Sequence, residues 1–395
     1  MLTLMKLDGR RPPHETALRC IVVGAVAALL LLPIVAWAKG QGGSPDSWQT
    51  VPGPTTSEPF WETSVWTGTE MLAWGRTVGA AEHFDGFRYQ PGDGTWRPMT
   101  MLSSIADRRG AVTLWAGSEL IVWGGANGSS LLRDGARYDP ATDTWTTFQA
   151  PEWVRARQES AAAWTGRELL IFGGYTSDGP GGDGAAYEPV TDQWRPLAAE
   201  GAPGGRYKAI GAWTGTQFVV WGGLGPRSVA LEDGARYDLE TDRWVAMAVP
   251  PGPLNCNNHG STNRGVWTDT TLVIWGCDPL RGAALGGRYD PRTDQWQAIS
   301  NDGAPSGRVL HYLLWTGREV LVWGGASLRN NGPRSQNIFL QYDGGRYDPA
   351  RDTWAPIPPQ STTTTAVAWT GIDMMALGLS SPERQPLILS YRPPR

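Results

Sequence analysis

Among the side chains that can bind or react, arginine has the most regular placement in this chain. It recurs a few residues ahead of a tryptophan, at Arg108, Arg109, Arg157, Arg206, Arg264 and Arg308, with Lys208 in the same series and Arg76 after a lone glycine. A guanidinium group presents a planar fork of donors that matches a carboxylate. The pattern predicts one of two roles: a positive surface for an acidic sugar or a peptide carboxylate, or structural arginines that tie neighbouring loops together through backbone carbonyls.

Residues typical of catalysis are sparse. The sequence contains no nucleophile elbow, phosphate-binding loop or HExxH motif. Its four histidines, His14, His83, His259 and His311, are far apart, so we expect neither a metal site nor a cofactor. Catalysis would need a titratable pair in a pocket, such as His311 with a carboxylate or with Tyr207. The sequence favours a non-catalytic protein and leaves an enzymatic alternative open.

Three aromatic markers repeat along the chain and define its organisation. A first tryptophan recurs every 48 to 54 residues, at Trp66, Trp115, Trp164, Trp213, Trp267, Trp315 and Trp369. A tyrosine follows each one, at Tyr89, Tyr138, Tyr187, Tyr237, Tyr289, Tyr347 and Tyr391, and six of these precede a second tryptophan by seven residues. The seventh second tryptophan is missing at the C-terminus, but Trp48 lies unpartnered near the start. The series therefore reads as a circle of seven repeats that is cut open within the last one.

Each repeat is long enough for a four-stranded antiparallel sheet. In one copy we predict strands over 111–115, 120–123, 136–138 and 144–148, separated by turns rich in Gly, Pro and Asp. A single sheet of this kind cannot bury both of its faces. Stacking the copies radially covers these faces, and the result is a β-propeller.

The repeat resembles that of the kelch family, in which a di-glycine follows an apolar strand and a tyrosine and a tryptophan come next. The glycine pairs are Gly124-Gly125, Gly173-Gly174, Gly222-Gly223 and Gly324-Gly325, and the first, fifth and seventh copies lack the pair. The resemblance covers roughly residues 45–395. It implies an all-β, seven-bladed kelch-type propeller over residues 47–395, whose last blade combines strands over 362–369, 374–379 and 387–392 with the N-terminal segment Trp48–Val51.

In kelch propellers ligands usually bind the loops that enter the innermost strand (d–a loops) and those that follow the di-glycine (b–c loops). Here the insertions Pro250–Thr262 and Ser327–Tyr342 fall in these loops. Two tryptophans outside the repeat pattern, Trp61 and Trp153, also fall in d–a loops, where they could cap a blade edge or present a flat face to a ligand. The candidate ligand-binding residues are Trp61, Arg76, Arg109, Trp153, Arg157, Arg206, Tyr207, Arg308 and His311.

These features favour an exported, non-catalytic propeller that binds a glycan or a protein partner. The alternative is a carbohydrate-active enzyme on the same face, similar to the bacterial sialic-acid epimerases (mutarotases), which are also exported kelch propellers. The galactose oxidase family shares the repeat, but the sequence has no histidine cluster that could supply its copper site.

Other recurrent charges are expected to be structural. Glu70, Glu119 and Glu319 begin the second strand of three repeats whose marker tyrosine is preceded by Arg88, Arg137 and Arg346. Asp85, Asp134, Asp183, Asp233 and Asp343 recur four residues before the tyrosine, and we interpret them as turn-forming.

The N-terminal segment predicts export. Residues 1–38 combine a positive start, an uncharged apolar run over 20–38 and a small-x-small site at Ala36-Trp37-Ala38, which is typical of a signal peptide or of an uncleaved signal anchor in the membrane. Residues 39–46 read as a linker. Either alternative places the propeller outside the cytoplasm, in the periplasm or secreted. The net charge is −4, and residues 1–38 contribute +2, so the remaining chain carries −6 and a nucleic-acid partner is disfavoured.

An extracytoplasmic location gives meaning to the two cysteines outside the leader. Cys256 and Cys277 lie in the fifth repeat, and in an oxidising compartment they are expected to form a disulfide or to remain as two free thiols.

Overall fold

A computed structural model describes residues 45–54, 60–77, 83–252, 254, 264–278, 283–330, 336–380 and 385–394. The leader and most of the linker lie outside these residues. Residues Asp46–Arg395 form one compact unit.

Seven four-stranded antiparallel sheets, the blades, make up this unit. Strand β1 is Ser47–Val51. Blade 1 comprises β2 (Phe60–Trp66), β3 (Met71–Thr77), β4 (His83–Gln90) and β5 (Thr95–Met99). Blade 2 comprises β6 (Val112–Trp115), β7 (Leu120–Trp123), β10 (Asp134–Asp139) and β11 (Thr144–Gln149). Blade 3 comprises β12 (Ala161–Trp164), β13 (Leu169–Phe172), β16 (Gly184–Glu188) and β17 (Gln193–Pro196). Blade 4 comprises β18 (Ile210–Trp213), β19 (Gln217–Trp221), β20 (Gly234–Asp238) and β21 (Arg243–Ala246).

The remaining blades follow the same order. Blade 5 comprises β22 (Arg264–Trp267), β23 (Leu272–Asp278), β24 (Ala283–Asp290) and β25 (Gln295–Ala298). Blade 6 comprises β26 (Tyr312–Trp315), β27 (Val320–Trp323), β30 (Gly344–Asp348) and β31 (Thr353–Ile357). Blade 7 comprises β32 (Thr362–Trp369), β33 (Met374–Ser380), β34 (Pro386–Arg392) and β1. Two-stranded hairpins extend three b–c loops: β8 (Ala126–Asn127) with β9 (Ser130–Leu131), β14 (Tyr175–Thr176) with β15 (Gly179–Pro180), and β28 (Ala326–Asn330) with β29 (Gln336–Leu340). A short helix, α1 (Ser103–Ala106), and a 3₁₀ turn (Pro226–Ser228) complete the elements.

The chain ends meet in blade 7, which confirms the predicted closure. Strand β1 pairs antiparallel with β34, so that Trp48 lies opposite Tyr391. The Tyr391 hydroxyl donates to Asp46 Oδ1 at 2.7 Å. The innermost strands contact their neighbours around the whole ring, from β2 through β6, β12, β18, β22, β26 and β32 back to β2. The predicted seven-bladed fold is therefore confirmed.

The core lies between blades, because each blade covers the faces of the next. The second strand is buried along its whole length, as in Leu120–Trp123. Trp123 of blade 2, for example, packs in one cluster with Leu169 and Ile171 of blade 3. Burial on both faces explains why these strands are continuously apolar instead of alternating.

The marker tyrosines and tryptophans join the repeats through hydrogen bonds. In blade 2 the Tyr138 hydroxyl donates to Asp143 Oδ1 at 2.6 Å, and the same bond recurs in blades 3 to 7. The Trp145 indole donates to the Thr100 carbonyl of the preceding blade, and Trp48 makes the equivalent bond to Pro358 of blade 6. The markers thus hold each outer strand to its neighbour.

The b–c loops are of two kinds. In blades 2, 3, 4 and 6 both glycines of the pair have positive φ, and the second strand ends just before them. In blades 1, 5 and 7, which lack the pair, the second strand continues as β3, β23 and β33 and pairs with a longer third strand.

Candidate functional site

We call the side of the ring that carries the d–a and b–c loops the loop face, and the opposite side, with the a–b and c–d turns, the turn face. The candidate ligand-binding residues belong to the loop face. Their surroundings divide them into buried and exposed groups.

A buried arginine links the two kinds of loop in four blades, and we call this group the arginine clip. In blade 3, Arg157 Nη1 donates to the Gly173 carbonyl at 2.9 Å and Nη2 to Asp183 Oδ2 at 2.6 Å. The other three clips are Arg108 with Gly124 and Asp134, Arg206 with Gly222 and Asp233, and Arg308 with Gly324 and Asp343. Each clip arginine lies seven residues before the first tryptophan of its blade.

Burial removes the clip arginines from the surface on which a ligand would bind. Arg157 and Arg206 are 1% exposed and Arg308 is 0% exposed. The expectation of a mouth lined with these guanidinium groups does not fit their placement. Their contacts match the alternative, in which arginines tie loops together through backbone carbonyls.

The clip also corrects the interpretation of the recurrent aspartates. Asp134, Asp183, Asp233 and Asp343 are ion-pair partners of clip arginines and do not act as turn formers. Burial opposes the ionisation of Asp183, but the hydrogen bond from Arg157 and the charges of Arg157 and Arg155 together outweigh burial and lower the pKa of this carboxyl.

Backbone hydrogen bonds connect two of the clips, those of Arg157 and Arg206, to the preceding blade. Gly125 N donates to the Arg157 carbonyl and Gly174 N to the Arg206 carbonyl, both at 2.8 Å. The residue after each clip arginine bridges to the residue after the glycine pair of its own blade, as Arg109 does with Ala126 and Tyr207 with Leu224. The backbone of the loop face is therefore held both within and between blades.

Three further candidates are buried. Trp61 lies in strand β2 and not in a loop, is 2% exposed, and stacks on Trp96 with ring centroids 5.5 Å apart. The Tyr207 hydroxyl shares a hydrogen bond with Ser228 Oγ at 2.9 Å. His311 Nε2 lies 3.0 Å from the Trp275 carbonyl, and burial lowers the pKa of this histidine to about 3. The structure does not bring His311 and Tyr207 together as a titratable pair.

The remaining candidates are accessible. Trp153 is 47% exposed and Arg109 is exposed. Arg76 lies over the Phe84 ring at 5.4 Å and within 3.4 Å of Asp107. Of the nine candidates, these three alone present side chains that a macromolecule could contact readily.

Sequence reasoning missed an apolar feature of the loop face. Among the residues that the structure describes, eleven large hydrophobic side chains are exposed. Eight of them lie in d–a or b–c loops: Trp153, Tyr175, Val229, Val249, Leu310, Ile338, Phe339 and Leu340. Their sequence signal is weak, because it consists only of apolar residues in loops, outside the register of the repeat.

Within the described ranges no three His, Cys, Asp or Glu side chains group as metal ligands would. The same ranges contain no helix of the length and apolarity that a bilayer span requires. Cys256 lies outside them, so the disulfide between Cys256 and Cys277 stays a prediction.

The fold and the recurrent loop geometry define a seven-bladed β-propeller whose loops are organised by di-glycine turns. A family model described as the KLHDC2/KLHL20/DRC7 Kelch-repeats domain matches residues 61–276 and 110–325. These matches together span more than half of the chain, which therefore belongs to the kelch-repeat family. Kelch propellers typically bind protein partners. A comparison with curated proteins produced no match.

Proposed function

We propose that this protein is an extracytoplasmic, non-catalytic binding module that captures a protein partner with its loop face. The observation that carries the proposal is the concentration of exposed apolar side chains in the d–a and b–c loops. Clustered exposed hydrophobics are typical of interaction surfaces, and aromatic side chains are enriched at the centres of interfaces. A glycan ligand, the alternative from the sequence, would gain less binding energy than a protein partner from contacts with Leu310, Ile338 and Leu340, because its surface consists largely of hydroxyl groups.

Leu310 illustrates the argument from exposure. It has a φ of 58° and is 57% exposed. The conformation belongs to the loop position, because Gly110, Glu159 and Lys208 have positive φ at the same place in blades 2, 3 and 4, but a branched apolar residue adopts it at a cost. Neither strain nor exposure stabilises the fold, so a binding role accounts for this residue better than a structural one.

The test uses variants of the full chain that keep the fold. We expect Trp153→Ala and Leu310→Gly to weaken partner binding at least ten-fold on an array of extracytoplasmic proteins. Leu310→Gly should also leave the free energy of unfolding unchanged or raise it by up to about 1 kcal/mol, since it relieves a positive φ. Val190→Ala and Ile372→Ala remove exposed side chains from the turn face and serve as controls. Full binding by the Trp153→Ala/Leu310→Gly double variant would exclude the loop face, and binding to a glycan array alone would favour the carbohydrate alternative.

Export rests on the leader, residues 1–38. N-terminal sequencing of the protein purified from its host should find a start at Lys39 if the leader is a cleaved signal peptide, whereas an intact N-terminus in the membrane fraction would indicate a signal anchor. An intact protein in the cytoplasmic fraction would contradict export.

A specific observation supports the second candidate, a carbohydrate-active enzyme. Glu62 is the bulged residue of β2, where the register shifts between Trp61 and Thr63, and bulges re-aim side chains near active sites. Burial raises the pKa of Glu62, although Arg76 opposes this shift. A raised carboxyl pKa suits general acid–base catalysis. The interconversion of anomers of an acidic sugar, followed by NMR, should then be faster with the protein than without it and should return to the uncatalysed rate in Glu62→Gln.

A further inference from the structure

The turn face carries a cleft of about 800 Å³ between blades 5 and 6. Its walls include Thr271 and Arg288 of blade 5, Trp315 and Arg318 of blade 6, and Asp269 in the a–b turn of blade 5. The same cleft is lined by Gln295 and Gln297 on the outer strand. It lies opposite the loop face and involves none of the residues discussed above for partner binding.

Blade 5 lacks a carboxylate that blades 1, 2 and 6 have at the start of the second strand. At the start of the second strand, Glu70, Glu119 and Glu319 pair with the arginine before the marker tyrosine, at 2.7, 3.5 and 3.1 Å. Blade 5 has Thr271 at the equivalent position, and threonine is too short and uncharged to make this pair. The missing side chain leaves room beside Arg288.

Arg288 is consequently the exception among the arginines of this position. Arg88, Arg137, Arg236 and Arg346 each lie within 3.7 Å of a carboxylate oxygen. Over the part of the chain that the structure describes, Arg288 has no such partner and donates to the Pro349 carbonyl. A half-buried guanidinium group with no carboxylate at ion-pair distance favours the binding of an anion.

The a–b turn of blade 5 carries a second departure. The turn position after Trp-Thr or Trp-Ala is glycine in six blades, with φ between 81° and 102°. In blade 5 it is Asp269, with a φ of 67°, and its Oδ2 accepts the Trp315 indole hydrogen at 2.8 Å. Aspartate tolerates this conformation better than most residues, although glycine adopts it at no cost. Asp269 holds the indole that forms one wall of the cleft.

We propose that this cleft binds an acidic saccharide, whose carboxylate takes the place beside Arg288 that glutamate occupies in blades 1, 2 and 6. The other groups suit the rest of such a ligand. The amides of Gln295 and Gln297 can both donate to and accept from sugar hydroxyls, and the Trp315 ring presents an apolar surface next to them. An acidic peptide would satisfy Arg288 but would leave these hydroxyl partners unused.

The decisive variant supplies the missing carboxylate from the protein itself. In Thr271→Glu, the new side chain should pair with Arg288 as Glu70 pairs with Arg88, with two hydrogen bonds of 2.9 and 2.7 Å. Calorimetry of the full chain with an oligogalacturonate should show binding to the wild type and at least ten-fold weaker binding to Thr271→Glu. The melting temperature of the variant should be unchanged or higher, which separates loss of the site from loss of the fold.

Controls separate charge from position and sugar from peptide. Thr216→Glu adds the same charge in the equivalent turn of blade 4 and should bind as the wild type does. A neutral oligogalactan should bind the wild type at least ten-fold more weakly than the oligogalacturonate. Equal affinity of the wild type and Thr271→Glu, equal affinity for the acidic and neutral sugars, or tighter binding of an acidic peptide would each overturn the assignment. None of these outcomes bears on the loop face.

Discussion

The loop face buries two types of basic side chain, arginine and histidine, and the fold offsets the cost of burying each one differently. The clip arginines are paired, because each has a carboxylate and backbone carbonyls within hydrogen-bond distance. His311 has no carboxylate partner among the described residues, and burial keeps it neutral. Burial of an ionisable group is tolerated either by pairing the charge or by removing it.

The neutral state of His311 predicts a specific pH dependence. In the unfolded chain His311 becomes protonated below about pH 6.5, whereas in the folded protein its lowered pKa keeps it neutral down to about pH 3. The free energy of unfolding should therefore fall as the pH drops below 6.5, by up to about 1.4 kcal/mol per pH unit. In urea titrations between pH 6 and 5, His311→Gln should reduce this slope by close to one proton. An unchanged slope in His311→Gln would show that another group is responsible.

At the scale of elements, the clip and the glycine pair form one structural unit. A second strand that ends at a di-glycine has its loop bound by the clip, whereas a second strand without the pair continues into a longer hairpin. Gly223 shows why glycine is needed: it has a φ of 84°, and a Cβ there would lie 2.6 Å from the Tyr207 carbonyl oxygen. The loop that carries the clip thus requires a glycine where two backbones meet.

This unit predicts that Arg206→Ala impairs the fold. The substitution removes the Arg206 donor of the Gly222 carbonyl and one of the two donors of the Asp233 carbonyl, and it leaves the Asp233 carboxylate without its ion-pair partner. Hydrogen bonds of charged groups contribute about 1.5–3 kcal/mol each, so we expect a loss of at least about 2 kcal/mol of unfolding free energy. Arg167→Ala removes a pair with Glu188 at a side chain that is 76% exposed and should cost about 1 kcal/mol or less. Wild-type stability of Arg206→Ala, measured by urea unfolding, would refute a structural role for the clip.

For the whole molecule, ring closure depends on a segment of five residues from the N-terminal end. Trp48 of β1 packs its ring 4.5 Å from that of Trp323 in blade 6 and donates to the Pro358 carbonyl. The closing strand thus contacts two blades, and without it blade 7 would expose the edge of β34.

The matching prediction compares two equivalent tryptophans. Trp48→Ala and Trp354→Ala should lower the unfolding free energy by similar amounts, about 3 kcal/mol or more, because each removes a large packed side chain and an interblade hydrogen bond. A Trp48→Ala variant as stable as the wild type, beside a destabilised Trp354→Ala, would mean that the N-terminal strand is not docked in solution.

The number of blades, the closure of the ring and the strands of each repeat could be predicted from the sequence alone. Their signals are periodic and local: aromatic markers at a fixed spacing, fully apolar second strands and turns rich in Gly, Pro and Asp. The clip was also visible in part, since an arginine seven residues before the first tryptophan accompanies the glycine pair in the same four repeats.

Burial and charge compensation were decided only by the tertiary structure, because they depend on what lies across a loop or across the boundary between blades. From the sequence Arg157 is predicted to be an exposed cation, but in the structure it is buried against Gly173 and Asp183, which follow it by 16 and 26 residues. Trp61 reads as a loop residue until β2 is seen to begin at Phe60. The sequence alone does not show the effect of Thr271 in place of Glu70. In the structure the two residues occupy the same position in their blades, and because threonine cannot pair with Arg288, this arginine lines an open cleft.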